Sequence, residues 1–225
     1  LPAGAYVTLE HEYVLILRKG DKRGFDTPAE KAARRQSALF WEERNVWFSD
    51  VWMDLKGARQ NIGKNAQMPD KQVRERSGAF PFELPYRLIN MYSVAGDTVL
   101  DPFLGAGTSL SAAVAAGRNS IGFELEPEFA QTIRDHAGQA MATANQVISD
   151  RLERHAAFVK ERQAAGKAVK YSSREYGFPV ATRQETEIYL ARPVDVRTGK
   201  AGCFTVTYAD APPVTDLYAD SLLID

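Results

Sequence analysis

The chain has 225 residues, with 28 Lys and Arg against 29 Asp and Glu, a formal net charge of −1 and an apolar share of 44%. This composition excludes a disordered chain and suits one large domain, or one domain with an appendage. A single cysteine, Cys203, excludes an internal disulfide framework and a Cys-rich zinc site, no apolar run approaches the ~20 residues that span a bilayer, and no secretory signal pattern opens the chain.

The first residue is Leu1 rather than a start methionine, and Asp216–Asp225 stops partway through an apolar run, so both ends read as cut. Residues 12–18 read as a buried strand, because apolar, aromatic and β-branched residues follow one another without a break. Residues 21–75 are polar and broken by Gly24, Pro28, Gly57, Gly63 and Pro69, with a short helix expected over about 28–44. Phe82–Tyr92 reads as a helix, with Glu83 and Pro85 in its first turn and Leu84, Leu88 and Met91 sharing its apolar face. Asp97–Phe103 is expected to be a short strand ending at Asp101, Leu104–Thr108 a tight glycine loop, and Ser109–Ala116 a small-residue helix stopped by Gly117. Asn119–Glu124 follows as a second strand ending in a carboxylate. Pro127 to about Ala165 reads as one or two polar helices with apolar positions at Phe129, Ile133, Ala137, Met141, Ile148 and Leu152. Beyond residue 171 the pattern turns to strands, at Glu187–Leu190 and Cys203–Tyr208, with Gly199 as a turn between them.

Charge is distributed unevenly. From Arg18 to Arg76 there are 14 Lys and Arg against 9 Asp and Glu, a balance of +5, whereas Tyr171–Asp225 carries 5 against 8, a balance of −3. A basic stretch inside a neutral chain fits a polyanionic partner, or simply a solvated surface.

A strand, a Gly-x-Gly turn and a helix together offer backbone N–H groups and a positive dipole end to a ligand. An acid at the end of the next strand can accept both hydroxyls of a ribose, and Glu124 stands 17 residues after Gly107. Asp101 adds a second carboxylate beside the loop. Two carboxylates repel a pyrophosphate, but they suit a ligand with a positive amine and no phosphate, such as adenosine joined to methionine. Leu110 replaces the third glycine of a dinucleotide fingerprint, and the Gly-Lys-Ser/Thr of a phosphate loop is absent.

Val99-Leu100-Asp101-Pro102-Phe103-Leu104-Gly105-Ala106-Gly107-Thr108 resembles the S-adenosylmethionine motif of DNA amino-methyltransferases, which methylate adenine N6 or cytosine N4. Ser77–Pro85 resembles the segment upstream of that motif, Gly117–Glu124 the strand whose acid binds the ribose, and His11–Lys19 a strand of the family's catalytic half. The four segments stand in the family's permuted order, catalytic half before cofactor half, across roughly residues 10–135. The resemblance implies an α/β fold: a doubly wound Rossmann-like methyltransferase sheet with a helical segment and a small β-rich C-terminal extension. The implied divisions are 1–20, the end of the catalytic half; 21–75, a variable and possible target-recognition segment; 76–135, the cofactor-binding half; 136–170, a helical extension; and 171–225, the β-rich extension. The cofactor residues it implies are Ala79, Phe80, Asp101, Pro102, Phe103, Gly105, Gly107, Thr108 and Glu124, with Asp101 on the methionine amine, the two phenylalanines near the sulfonium and adenine, and Glu124 on the ribose. Double-stranded DNA is the implied partner, with Lys22, Arg23, Arg34, Arg35, Arg44, Arg59 and Lys64 as candidate phosphate contacts. A prokaryotic, nucleoid-associated cytoplasmic protein, with a homodimer as one option, completes what the resemblance implies.

The family's catalytic loop, an acidic or polar residue followed by Pro-Pro and an aromatic, has no counterpart here. Pro212-Pro213 lies between Ala211 and Val214 and reads as a loop. The permuted order puts the catalytic loop before Leu1; Asp216–Asp225 resembles the strand leading into it in some relatives, which would put it downstream instead. No catalytic residue is therefore named. Trp41, Trp47 and Trp52 read as core or interface anchors. His11, His136 and His155 lack metal-ligand spacing and read as structural. Cys203 is expected to be buried and inert. Its preceding Gly202 argues against a Pro-Cys nucleophile and ring-carbon methylation. Two rivals remain at this stage: a non-catalytic DNA- or protein-binding subunit that kept the fold, and a methyltransferase acting on RNA or a small molecule.

Overall fold

The computed structural model describes residues 11–55 and 80–210. Ala79, Arg59, Lys64 and Pro212-Pro213 lie outside these residues.

Two helices stand where one was expected over 28–44. Helix α1 (Pro28–Gln36) starts with Pro28 in its first turn and a capping box in which Thr27 Oγ1 accepts from Glu30 N, and Glu30 Oε2 accepts from Thr27 N. The chain then breaks at Ser37–Phe40, and α2 (Trp41–Trp47) begins. Across the break the adjacent Leu39 and Phe40 enter two different apolar clusters.

Helix α3 (Glu83–Tyr92) forms as expected, but on a different face. Tyr86 and Ile89 are its buried apolar residues besides Pro85, whereas Leu84, Leu88 and Met91 are half-buried. Strand β1 (Thr98–Asp101) follows, then helix α4 (Thr108–Ala115) and strand β2 (Asn119–Gly122). The two strands pair in parallel, with Asp101 opposite Gly122, so the crossover places both carboxyl ends on one side. Helix α4 stops where Gly117 takes φ +69°: Gly117 N donates to Val114 O at 3.0 Å and Arg118 N to Ala113 O at 2.8 Å, the two bonds of a Schellman cap. Arg118 is buried there, and its guanidinium donates to the carbonyls of Ser93 and Ala116, fixing the turn before β1 against the end of α4. Burial pushes its pKa down to about 10.

Helix α5 (Phe129–Ala164) is a single 36-residue element, about 54 Å long at 1.5 Å per residue. Ala137, Ala140, Ala144, Ile148, Leu152, Ala156 and Val159 form one buried stripe along it. Ala140 and Ala144 lie against α4, whose buried Ala112, Ala113 and Ala115, with the C-cap Ala116, permit a close approach. Farther along, Ile148, Leu152 and Ala156 join Phe40, Phe178, Val180, Ile188 and Leu190 in the second cluster.

Two hairpins complete the described chain: β3 (Tyr171–Ser172) with β4 (Pro179–Val180), and β5 (Pro193–Thr198) with β6 (Phe204–Tyr208), both antiparallel. The strand expected at Glu187–Leu190 does not form. Ile188 and Leu190 are buried in alternation, but the segment has no ladder partner, and Tyr189 N donates to Gln36 O instead. Strand β5 is the element that pairs with β6 across the turn at Gly199. Cys203, expected to be buried, is exposed. The segment read as a buried strand at 12–18 joins no sheet among the described residues, with Tyr13 90% and Leu15 80% exposed. On the β1–β2 unit Leu100, Ile121, Phe123 and Leu125 are also exposed. No helix among the described residues is long and apolar enough to cross a membrane.

Candidate functional site

An acid stands at the carboxyl end of β1, Asp101, and another two residues beyond that of β2, Glu124, with the glycine loop between them. In open α/β sheets this is where ligands bind. Asp101 Oδ1 accepts from Phe103 N at 2.9 Å and Oδ2 from Ser109 Oγ at 2.5 Å, which folds the loop back over the strand end. Glu124 Oε2 accepts from Gly105 N at 2.7 Å and Oε1 from Glu126 N at 2.9 Å. Leu104 N donates to Phe123 O, and Phe123 N to Asp101 O, so the loop is laced to both strands. Gly107 is the N-cap of α4 at φ +89°, a conformation that other residues take only under strain.

A carboxylate has about four lone-pair sites, so both acids keep acceptor capacity after these bonds. Asp101 also borders a cleft of about 250 Å³ lined by Phe80, Leu84, Leu88, Val99 and Leu100. That volume is below the ~300–1,000 Å³ of a whole ligand pocket and suits one arm of a ligand. The donor set fits an aminoacyl arm attached to an adenosine: an acid for a cationic amine, apolar walls for a thioether-like stem, and a second acid across the loop for vicinal hydroxyls. Of the other residues expected here, Thr108 is half-buried in the first turn of α4, while Pro102 and Phe103 are exposed, the Phe103 ring at 86%. Sequence reasoning missed Ser109, whose hydroxyl holds Asp101; its place next to Thr108 at the helix start was the available signal.

Four of the expected phosphate contacts are gathered in a different place. Arg23, Arg34, Arg35 and Arg44 line one groove of about 1,080 Å³ at the C-terminal end of α3, where Asn90–Val94 form part of its wall. Lys22 is exposed but does not line it. Arg23 pairs with Asp97 at 2.6 Å, Arg35 with Glu187 at 2.6 Å, and Arg44 donates to Gln184 at 2.5 Å. Asp97 is held below the ordinary carboxylate range: burial pushes it up, but the Arg23 hydrogen bond, Val94 N and nearby charges outweigh that. Glu187 is lowered chiefly by its hydrogen bond from Arg35. Arg18, Lys31, Arg174 and Arg183 line the same groove and were not singled out; the last two are remote in sequence, so only the fold could bring them in.

The tryptophans act as expected of packing groups. Trp47 is buried, Trp41 and Trp52 are half-buried, and each carries a guanidinium over its ring: Arg151, Arg44 and Arg87 respectively. His11 is exposed and bonded to Tyr13 at 3.2 Å, while His136 is half-buried. His155 is fully buried, stacked on Phe40 and set between Glu42 Oε1 at 3.0 Å and Pro179 O at 3.3 Å. Among the described residues, Glu42, His155 and Glu185 are the one group with metal-ligand atoms within 4.8 Å of one another. Glu185 spends both oxygens on the N–H groups of Trp41 and Thr182. The cluster therefore staples α2, α5 and the 179–185 segment together, which is the structural role expected for His155.

A model of the DNA methylase family, of the N6/N4 type, matches residues 1–135. The chain is 47% identical over 213 residues to the type II methyltransferase M.MthZI of Methanothermobacter thermautotrophicus, across 95% of this chain and 57% of that protein. It is 44% identical over 138 residues to M.MjaI of Methanocaldococcus jannaschii, across 61% and 42% of the two chains. A Thermus thermophilus protein assigned as a DNA modification methylase, solved with S-adenosyl-L-methionine, is 34% identical with a TM-score of 0.47, covering 61% of this chain and 48% of that one. The chain thus spans about half the length of these relatives. With the family model covering more than half of its residues, the chain belongs to the N6/N4 DNA methylase family.

Proposed function

We propose that this chain supplies the S-adenosylmethionine-binding half of a site-specific DNA methyltransferase acting on the exocyclic amine of adenine or cytosine, within a restriction-modification or epigenetic system. The observation that carries this reading is the pair Asp101 and Glu124, at and just past the carboxyl ends of adjacent parallel strands, flanking the glycine loop. The cofactor named in a relative's crystal structure has the chemistry this donor set fits. Bound there, S-adenosylmethionine supplies an electrophilic methyl group on a sulfonium.

Asp101 accepts from the methionine amine, Glu124 from the ribose hydroxyls, and Phe80 walls the cleft. Their work is orientation: holding the methyl donor in line with an incoming amine replaces a bimolecular encounter. The target base must leave the duplex to reach such a site. In this reading residues 21–75 carry target recognition, and the divisions 76–135, 136–170 and 171–225 stand as given from the sequence. The nucleoid-associated setting and the homodimer are part of the same proposal; sedimentation of the full-length protein checks the latter.

The test is transfer of labelled methyl from S-adenosylmethionine to duplex DNA by the full-length protein, followed by nucleoside analysis, with cofactor affinity measured by calorimetry. Labelled N6-methyladenine or N4-methylcytosine is the expected product. A folded protein that binds no cofactor would sink the proposal.

A further inference from the structure

The groove at the far end of α3 is lined by eight cationic side chains, Arg18, Arg23, Lys31, Arg34, Arg35, Arg44, Arg174 and Arg183, against one carboxylate, Glu187. Such an excess in a concave surface focuses a positive potential. Arg18, Lys31, Arg34 and Arg183 pair with no carboxylate among the described residues; Arg34 lies over the Phe25 ring. Like charges brought together without counter-ions repel, so their gathering calls for an anion.

The groove is also built in advance. Its second wall comes from the 171–190 segment, braced within itself by Arg174–Glu187 at 3.4 Å and held to α1 and α2 by Arg35–Glu187 at 2.6 Å, Arg44–Gln184 at 2.5 Å and Tyr189 N to Gln36 O at 3.0 Å. Its place is equally informative. Along α3 the cofactor cleft is lined from Leu84 to Ile89, and the groove by Asn90–Val94 just beyond.

Resting on the function proposed above, we infer that this groove, with Arg174 and Arg183 from the C-terminal segment, grips the sugar-phosphate backbone of the substrate duplex outside the target base pair. The groove positions the DNA and reads no base, since backbone contacts carry no sequence information directly.

The test measures affinity of the full-length protein for duplex DNA between 50 and 200 mM salt (about the range over which backbone contacts are resolved), with Lys31→Gln/Arg183→Gln and, separately, Arg18→Gln/Arg34→Gln. All four residues are exposed surface groups, and thermal unfolding confirms the fold. Each pair should flatten the slope of log affinity against log salt by about 2, equally for cognate and unrelated sequence. Cofactor affinity should not change. Unchanged salt slopes with cofactor binding and methyl transfer intact would overturn the groove assignment and leave the cofactor reading standing. A wild-type protein that binds cofactor but no DNA overturns the groove assignment together with the DNA substrate of the proposed function.

Discussion

Arg151, in the second half of α5, grips Glu43 of α2 through two parallel hydrogen bonds, Nε to Oε1 at 2.6 Å and Nη2 to Oε2 at 2.7 Å. Both residues are buried, Nη1 donates to the Tyr86 hydroxyl, and the rings of Phe40, Trp47 and Tyr86 surround the guanidinium. Burial opposes the charge on Arg151, yet Glu43 and Tyr86 outweigh it and raise its pKa above the ordinary value. Removing one partner of such a pair leaves a buried charge alone, a loss of about 3–5 kcal/mol, whereas replacing both with apolar groups is often near neutral. Arg151→Met should therefore destabilise by that amount in urea unfolding, and Arg151→Met/Glu43→Leu should recover most of it.

Glu124→Gln keeps the shape of the side chain but removes the charge that accepts from Gly105 and, in the proposed complex, from the ribose. A hydrogen bond to a charged group is worth about 1.5–3 kcal/mol, so cofactor affinity should fall about 10- to 100-fold. Calorimetric titration measures it; an unchanged affinity would remove Glu124 from the site.

Gly107 and Gly117 both hold positive φ, +89° and +69°, but their surroundings differ. A Cβ at Gly107 would rest 3.9 Å from Ile133, an ordinary contact, while one at Gly117 would press to 3.1 Å from Ala191 Cβ. Each alanine substitution should cost about 1–3 kcal/mol through backbone strain, with Gly117→Ala the worse of the two. Equal losses would mean that Ala191 yields freely.

Acid should loosen the link between α1, the 171–190 segment and the turn before β1. Asp97 and Glu187 have folded pKa values below their ordinary ones, and Asp54 is lowered by Arg87. A lowered carboxylate contributes stability that is present above its unfolded value, about 3.9–4.3, and lost as pH falls through its folded one. Thermal midpoints should stay level down to about pH 5 and drop below pH 4. Glu187→Gln should lower the midpoint at neutral pH and make the acid decline shallower.

Cys203 is exposed on the turn into β6. A maleimide should label it in the native protein without denaturant, and resistance to labelling would restore the buried position that its apolar neighbours suggest.

Much of the glycine-loop region was legible because its signals are local. Asp101 and Gly117 mark a strand end and a helix end through chemistry confined to a few residues, and β1, α4 and β2 fall within a residue or two of their expected limits. Glu187–Leu190 misled for a physical reason: alternation reports alternate burial, and Ile188 and Leu190 are buried without any ladder. Trp47 could be read as a core anchor, but the guanidinium over it could not, since Arg151 stands far along the chain. The groove was half legible: the basic stretch gave Arg23, Arg34, Arg35 and Arg44, while Arg174 and Arg183 lie in a segment of net negative charge, and only folding turns them the same way.

Helix α5 makes the two ends of the molecule share one rod. Its Ile133 backs the glycine loop at Gly107, and its His155 holds Glu42 of α2, the helix whose Arg44 lines the groove. Ordering one end of a rod leaves less disorder to remove at the other, so a ligand at the loop and a polyanion in the groove should help each other bind, to the same degree in both directions. Amide exchange along α5, slowed at its far end by a ligand at the near one, is where that reciprocity would be visible.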